Sequence, residues 1–291
     1  MTFVKLTPCR NAVLKTLSYS GVFKYPLSYY QLCNYLISPN WFSGKQIRKE
    51  VRDLISEKVI GEKNGRYFLS SIETVDVEKR IRETELSLKR NGKVFGTLQK
   101  IPWIKMVSIT GSAANYNNER NSDLDLLFVT AKNRVWLTRG FVFLVLKLMK
   151  KLPQNPATRE ICPNIFMDES SMSWTKKKRN LYVAQNIVSM QPLINKEGMY
   201  FRFVDSNRWI KGYYNNFKII PTNKLNASPL SGSPLVNIVE EIAMKMQIFY
   251  MKNKMTNEVT NRNLIHFKKN DNSSWILAKY KSIFRKYRSA Q

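Results

Sequence analysis

Two aspartates separated by one leucine, Asp123-Leu124-Asp125, follow the pair Gly111-Ser112 after ten intervening residues. Met106 to Thr110 ahead of the glycine, and Leu124 to Val129 behind Asp123, read as buried strands. Side chains alternate along a strand, so Asp123 and Asp125 share one face while Leu124 and Leu126 point to the core. Two carboxylates that close together repel unless a cation lies between them. Oxygen ligands of this kind suit Mg²⁺ or Mn²⁺, which also take phosphate oxygens and water into their shell. Gly111 permits close backbone approach. Ser112 adds a hydroxyl at a predicted helix N-terminus, a place that favours an anion such as a triphosphate. Ser122, at the opening of the second strand, completes the nucleotide-facing set. The chemistry these residues support is the binding of a metal-complexed nucleoside triphosphate (NTP).

At these positions the sequence resembles the DNA polymerase beta nucleotidyltransferase superfamily, whose signature is a strand, Gly-Ser or Gly-Gly, a spacer and Asp-hydrophobic-Asp or Glu. Gly111, Ser112, Asp123 and Asp125 stand at the matching positions. Over its whole length the chain is also similar to prokaryotic nucleotidyltransferase-domain proteins with an N-terminal winged helix. The stretches that carry this are Phe23-Lys24-Tyr25-Pro26-Leu27-Ser28, Val135-Trp136-Leu137-Thr138-Arg139, Ile161-Cys162-Pro163-Asn164 and Asn207-Arg208-Trp209. The resemblance implies metal-dependent transfer of a nucleoside monophosphate from NTP to a hydroxyl acceptor, with Asp123 and Asp125 as catalytic metal ligands. It also implies a third carboxylate on the next strand, acting as general base. The predicted strand Ile161 to Met167 brings Asn164, an amide, to that place. Asp168 is the competing candidate, on Asn164's face but at the strand's far end, while Glu169 faces the other way. An amide there opens a second reading, a catalytically weak nucleotide- and DNA-binding regulatory module.

The elements that must position these residues follow from periodicity and caps. The expected fold is α/β (α+β): a winged helix over 1–72, a helical connector over 73–100, a nucleotidyltransferase core over 101–170 and a mainly helical basic segment over 171–291. In the first part, Arg10 to Ser20 is helical, and Ser28 and Ser43 are N-caps of two further helices. Val59-Ile60 and Arg66 to Leu69 flank Asn64-Gly65, a strong hairpin turn. In a winged helix the third helix usually enters the major groove, and here it offers Lys45, Arg48, Lys49 and Arg52.

Composition narrows the partners. The chain has 48 Lys and Arg against 21 Asp and Glu, a formal charge of +27, of which +15 falls on 171–291. Such an excess points to an anionic partner, nucleic acid first. Lys176, Lys177, Lys178 and Arg179 are placed to track a phosphate backbone. The three cysteines are widely spaced and His266 is the only histidine, which argues against a disulfide framework, a zinc ribbon and a Ser-His-Asp triad. With no apolar run of spanning length and no signal-peptide core, the expectation is a cytoplasmic protein that does not use a membrane.

Overall fold

Residues 7–120, 122–151, 161–218, 234–252, 259–266 and 272–289 are described in the computed structural model of the protein. They form a mixed α/β molecule with a three-stranded and a six-stranded sheet.

Helix α1 (Pro8–Gly21) begins where Thr7 accepts a bond from the Arg10 amide, with Pro8 in its first turn. After the short strand β1 (Leu27–Ser28), Ser28 and Ser43 each form a capping box, with Gln31 and Gln46. These boxes start α2 (Tyr29–Asn34) and α3 (Gly44–Ser56). Val13, Leu14 and Leu17 of α1 meet Leu32 of α2 and Ile47, Val51 and Leu54 of α3 in one buried cluster. A hairpin, β2 (Ile60–Lys63) and β3 (Arg66–Leu69), turns at Asn64 and Gly65, whose φ angles of 52° and 69° suit a two-residue loop.

The connector is not one helix. It divides into α4 (Val77–Arg90) and α5 (Gly92–Gln99) at Asn91, a buried residue whose Nδ2 turns back to the Ser87 carbonyl. The weak helix former Gly92 follows directly.

The larger sheet is built on β4 (Ile104–Ile109) and β5 (Leu124–Thr130), which are antiparallel and joined through the one-turn helix α6 (Gly111–Ala114). Helix α7 (Val135–Leu148) then crosses over to β6 (Ile161–Asp168), parallel to β5. The sheet does not end at residue 170. Its order is β7-β4-β5-β6-β9-β8, with β7 (Gln191–Asn195), β8 (Val259–Thr260) and β9 (Leu264–His266) supplied by the segment whose periodicity reads as helical. Strands of two to five residues are too short for alternation to show in the sequence. The same segment supplies α8 (Leu181–Ser189), α9 (Met199–Ser206), α10 (Pro234–Met251) and α11 (Ser273–Ser289).

Strand parity divides the interior. Leu124, Leu126 and Phe128 enter a cluster with α5 and α7, whereas Leu127 and Val129 enter one with α8, α9 and α11. Arg134, the N-cap of α7, gives no side-chain cap, so the first turn is satisfied from outside. Glu240 of α10 accepts from the amides of Trp136 and Leu137 at 2.7 and 3.0 Å, which places an anion where the helix dipole favours one. The N-terminal unit is joined to the rest along α11. Tyr19 meets Tyr280 edge to face at 5.8 Å, and the Asn216 side chain bonds both the amide and the carbonyl of Phe42. Among the described residues no helix is long and apolar enough to cross a membrane.

Candidate functional site

Leu124 is fully buried, and this seats Asp123 and Asp125 on the opposite side of the chain, at the start of β5. One ligand atom each of Asp123, Asp125 and Cys162 lies within 4.8 Å of the others. Cys162 is in register with Asp125 across the β5–β6 pair. From the same strand, Asn164 donates its Nδ2 to Asp125 Oδ1 at 3.3 Å.

Gly111 completes the arrangement. Thr110 donates its amide (2.8 Å) and its hydroxyl (3.2 Å) to the Asp125 carbonyl, holding the end of β4 against the aspartate. The chain then turns at Gly111 with φ of +68°, and a Cβ there would stand 3.0 Å from Asp125 Oδ2. Only glycine takes this turn against the carboxylate without strain. Ser112 is exposed and donates to Asn118 Oδ1 at 2.7 Å. The predicted helix N-terminus at Ser112 is a single turn, too short for an appreciable helix dipole to build up. Ser122 closes a turn with Glu119, accepting from its amide at 3.1 Å, immediately before Asp123.

Burial, reinforced by the neighbouring Asp123 carboxylate, pushes the Asp125 carboxyl up to about 6, against opposing hydrogen bonds from Cys162 and Asn164. Two converging, half-buried carboxylates are costly by themselves and gain from a cation between them. The donor set therefore fits a divalent ion. Its third member is a thiol, softer than a carboxylate, so the set is not purely the hard-oxygen kind that the aspartates alone suggest.

Asp168 does not join them. Pairing between β5 and β6 slips by one residue, with Leu126 opposite Pro163 but Leu127 opposite Ile165. Asn164 is the extra residue, next to a proline that has no amide for the ladder. Beyond the slip, side-chain parity reverses. Ile165 and Met167 turn to the side of Leu127, and Phe166 stacks on Phe128 with ring centroids 4.5 Å apart. Asp168, expected on Asn164's face, is thereby carried to the other face, opposite Thr130 at the far end of the strand. It is fully buried, and its carboxylate accepts from the Asn133 amide, the Ser170 amide and the Ser170 hydroxyl. Glu169 is engaged with Arg202 and with the Lys132 amide.

Beside Asp125 lies a cavity of about 260 Å³. The core contributes Gly111, Ser112, Asn117 and Asp125 to its lining, α1 and the following turn contribute Tyr19 and Phe23, and α8 contributes Tyr182 and Gln185. Sequence reasoning passed over these aromatic residues, because nothing local marks a wall assembled from three parts of the chain. Cys162 was also passed over, although its strand parity with Asn164 was a usable signal.

The basic residues lie elsewhere. Lys45, Arg48, Lys49 and Arg52 are all exposed on α3, where Arg48 stands over the Tyr29 ring at 4.4 Å. Lys176 and Lys177 are exposed on a turn of 3₁₀ helix that also contains Lys178. Arg179 is half-buried, donating to the Trp174 carbonyl and standing over Trp209. None of these eight residues lines the cavity. No family model matches the chain, and no curated protein or solved structure matches it.

Proposed function

We propose that the protein is a metal-dependent nucleotidyltransferase that moves a nucleoside monophosphate from an NTP to a hydroxyl acceptor. Its parts, in this reading, are a winged helix, a polymerase-beta-like core and a basic, largely helical remainder. The observation that carries the proposal is the convergence of Asp123 and Asp125 on the Gly111 turn at the edge of a cavity. Asp123 and Asp125 hold Mg²⁺ or Mn²⁺, and the backbone at Gly111, with Ser112 and Ser122, faces the triphosphate. A divalent ion so held supplies Lewis-acid stabilisation of the charge that develops on the phosphates. Asn164 keeps Asp125 in place through its amide hydrogen.

A second reading has its own observation. Asn164 and Cys162 stand on the strand from which the superfamily draws its third carboxylate, and Asp168 is turned away. An amide cannot take the proton of an acceptor hydroxyl. This favours a nucleotide- and DNA-binding regulatory module that turns over slowly.

Nucleic acid is the proposed acceptor or partner. The support is the exposed basic face of α3, from which Glu50 and Glu57 are drawn aside by Thr7 and Arg10, and the exposed Lys176 and Lys177. Cys9, Cys33 and Cys162 form no disulfide, which suits a reducing compartment, and the cytoplasm is proposed on that ground. The test is incubation with labelled NTPs, Mg²⁺ or Mn²⁺ and pooled nucleic acid. Label transfer with pyrophosphate release supports the enzyme, and metal-dependent binding with little transfer supports the module. Absence of any metal-dependent NTP binding overturns both.

A further inference from the structure

We infer that the cavity beside Asp125 takes one nucleoside, whose base lies against a wall supplied by the N-terminal unit and α8. Tyr19 and Phe23 form one part of that wall, their ring centroids 5.7 Å apart, and Tyr182 adds a third ring. A planar π-system gains by stacking on such a surface, whatever its edge pattern. Among the described residues no lysine or arginine lines the cavity, so nothing there offsets a negative charge on the enclosed part of the ligand. Its phosphates belong at the Gly111 and Asp125 end, where a cation can be held.

The polar lining points the same way. Asn115, Asn117 and Asn186 add amide side chains to it, groups able to donate to and accept from base edges and ribose hydroxyls. Gln185, also in the lining, has its amide held by the Tyr214 hydroxyl at 2.6 Å and so presents a set edge. The N-terminal unit is therefore part of the site, because α1 and its following turn supply the stacking surface. The ligand's orientation rests on the reading of Asp123 and Asp125 given above, whereas its presence in the cavity does not.

Saturation-transfer NMR of adenosine, guanosine, cytidine and uridine with the full chain in EDTA tests this directly. At least one nucleoside receives saturation on its base protons, and its affinity falls about tenfold or more in Phe23→Ala and in Asn117→Ala. Phe23 is 38% exposed, so its truncation spares the core, and melting curves verify that both variants are folded. Tyr30→Ala, at an exposed ring on α2 outside the cavity, leaves the affinity unchanged. No saturation with any nucleoside, or equal affinity in Phe23→Ala and Asn117→Ala, overturns the inference. Nucleoside binding that persists where metal–NTP binding fails refutes the aspartate reading alone. Metal–NTP binding that is indifferent to both variants, without nucleoside binding, refutes the cavity alone. Displacement of the nucleoside by a non-hydrolysable NTP with Mg²⁺ identifies the incoming nucleotide, and simultaneous binding identifies the acceptor's terminal nucleoside.

Discussion

Asn164 Nδ2 lies 3.3 Å from Asp125 Oδ1, across the parallel strands β5 and β6, so the side chain that meets the aspartate pair from the next strand is an amide. Alternation from Cys162 puts it on that face, and the one-residue offset in the β5–β6 ladder beyond it turns Asp168 away.

If Asn164 marks the third-carboxylate position, Asn164→Asp restores a group able to accept the acceptor's proton. Turnover, measured as pyrophosphate release, is expected to rise by about 10²-fold, the low end for general-base catalysis. Asp168→Ala is expected to lower the melting temperature, because three hydrogen bonds between two turns are lost, while metal–NTP affinity in the folded fraction is kept. Transfer lost specifically in Asp168→Ala, with Asn164→Asp inactive, contradicts this assignment.

Asp125 makes stability depend on pH in a direction that can be worked out. Its folded value, about 6, lies above the ordinary 3.8, so the penalty of ionising it in the fold is absent below pH 3.8 and grows as pH rises towards 6. Asp125→Asn removes that penalty. In EDTA the variant is expected to be more stable than wild type by on the order of 1–3 kcal/mol at pH 8, and no more stable near pH 3.5. Chemical denaturation at the two pH values checks the sign, and an equal difference at both refutes it.

Gly111→Ala adds a methyl group 3.0 Å from Asp125 Oδ2 on a backbone with φ of +68°. A left-handed conformation costs a non-glycine residue about 1–2 kcal/mol. The expected outcome is a lower melting temperature and a loss of metal–NTP affinity of about tenfold, as the carboxylate is pushed aside. Calorimetric titration of the folded variant reads the second effect, and unchanged affinity removes Gly111 from the site.

Nucleic-acid binding by the basic surface predicts log affinity falling linearly with log salt, by about 0.7 to 0.9 per phosphate neutralised. Replacing Lys176, Lys177 and Lys178 with Gln is expected to flatten that slope. Replacing Lys45, Arg48, Lys49 and Arg52 is expected to weaken duplex binding more than single-strand binding. Filter binding across a salt series measures both, and no binding at about 50 mM salt rejects nucleic acid as the partner.

What could be read from the sequence was local. Ser28 and Ser43, each three residues ahead of a glutamine, announce their helices, and Asn64-Gly65 announces its hairpin. Alternation around Leu124 puts Asp123 and Asp125 together because a strand's period is a local property. The slip at Pro163 and Asn164 was not legible, since the ladder of the neighbouring strand decides which residue is extra. Nor were β8 and β9, which at two and three residues carry no periodicity. The cavity was hidden for a related reason. Tyr19, Asn117 and Tyr182 come together only after the N-terminal unit docks on α11 and α8.

The most direct test is calorimetric titration of the wild-type chain with a non-hydrolysable NTP, in Mg²⁺ or Mn²⁺ and again in EDTA, alongside Asp123→Asn and Asp125→Asn. Removing one hard anionic ligand with little change in volume is expected to lower metal-dependent affinity by tenfold or more, about 1.4 kcal/mol. EDTA is expected to do the same to the wild type, and melting temperatures in EDTA are expected to hold or rise in both variants. Equal NTP affinity with and without EDTA, or affinity untouched in both variants, would contradict a metal–nucleotide site at Asp123 and Asp125.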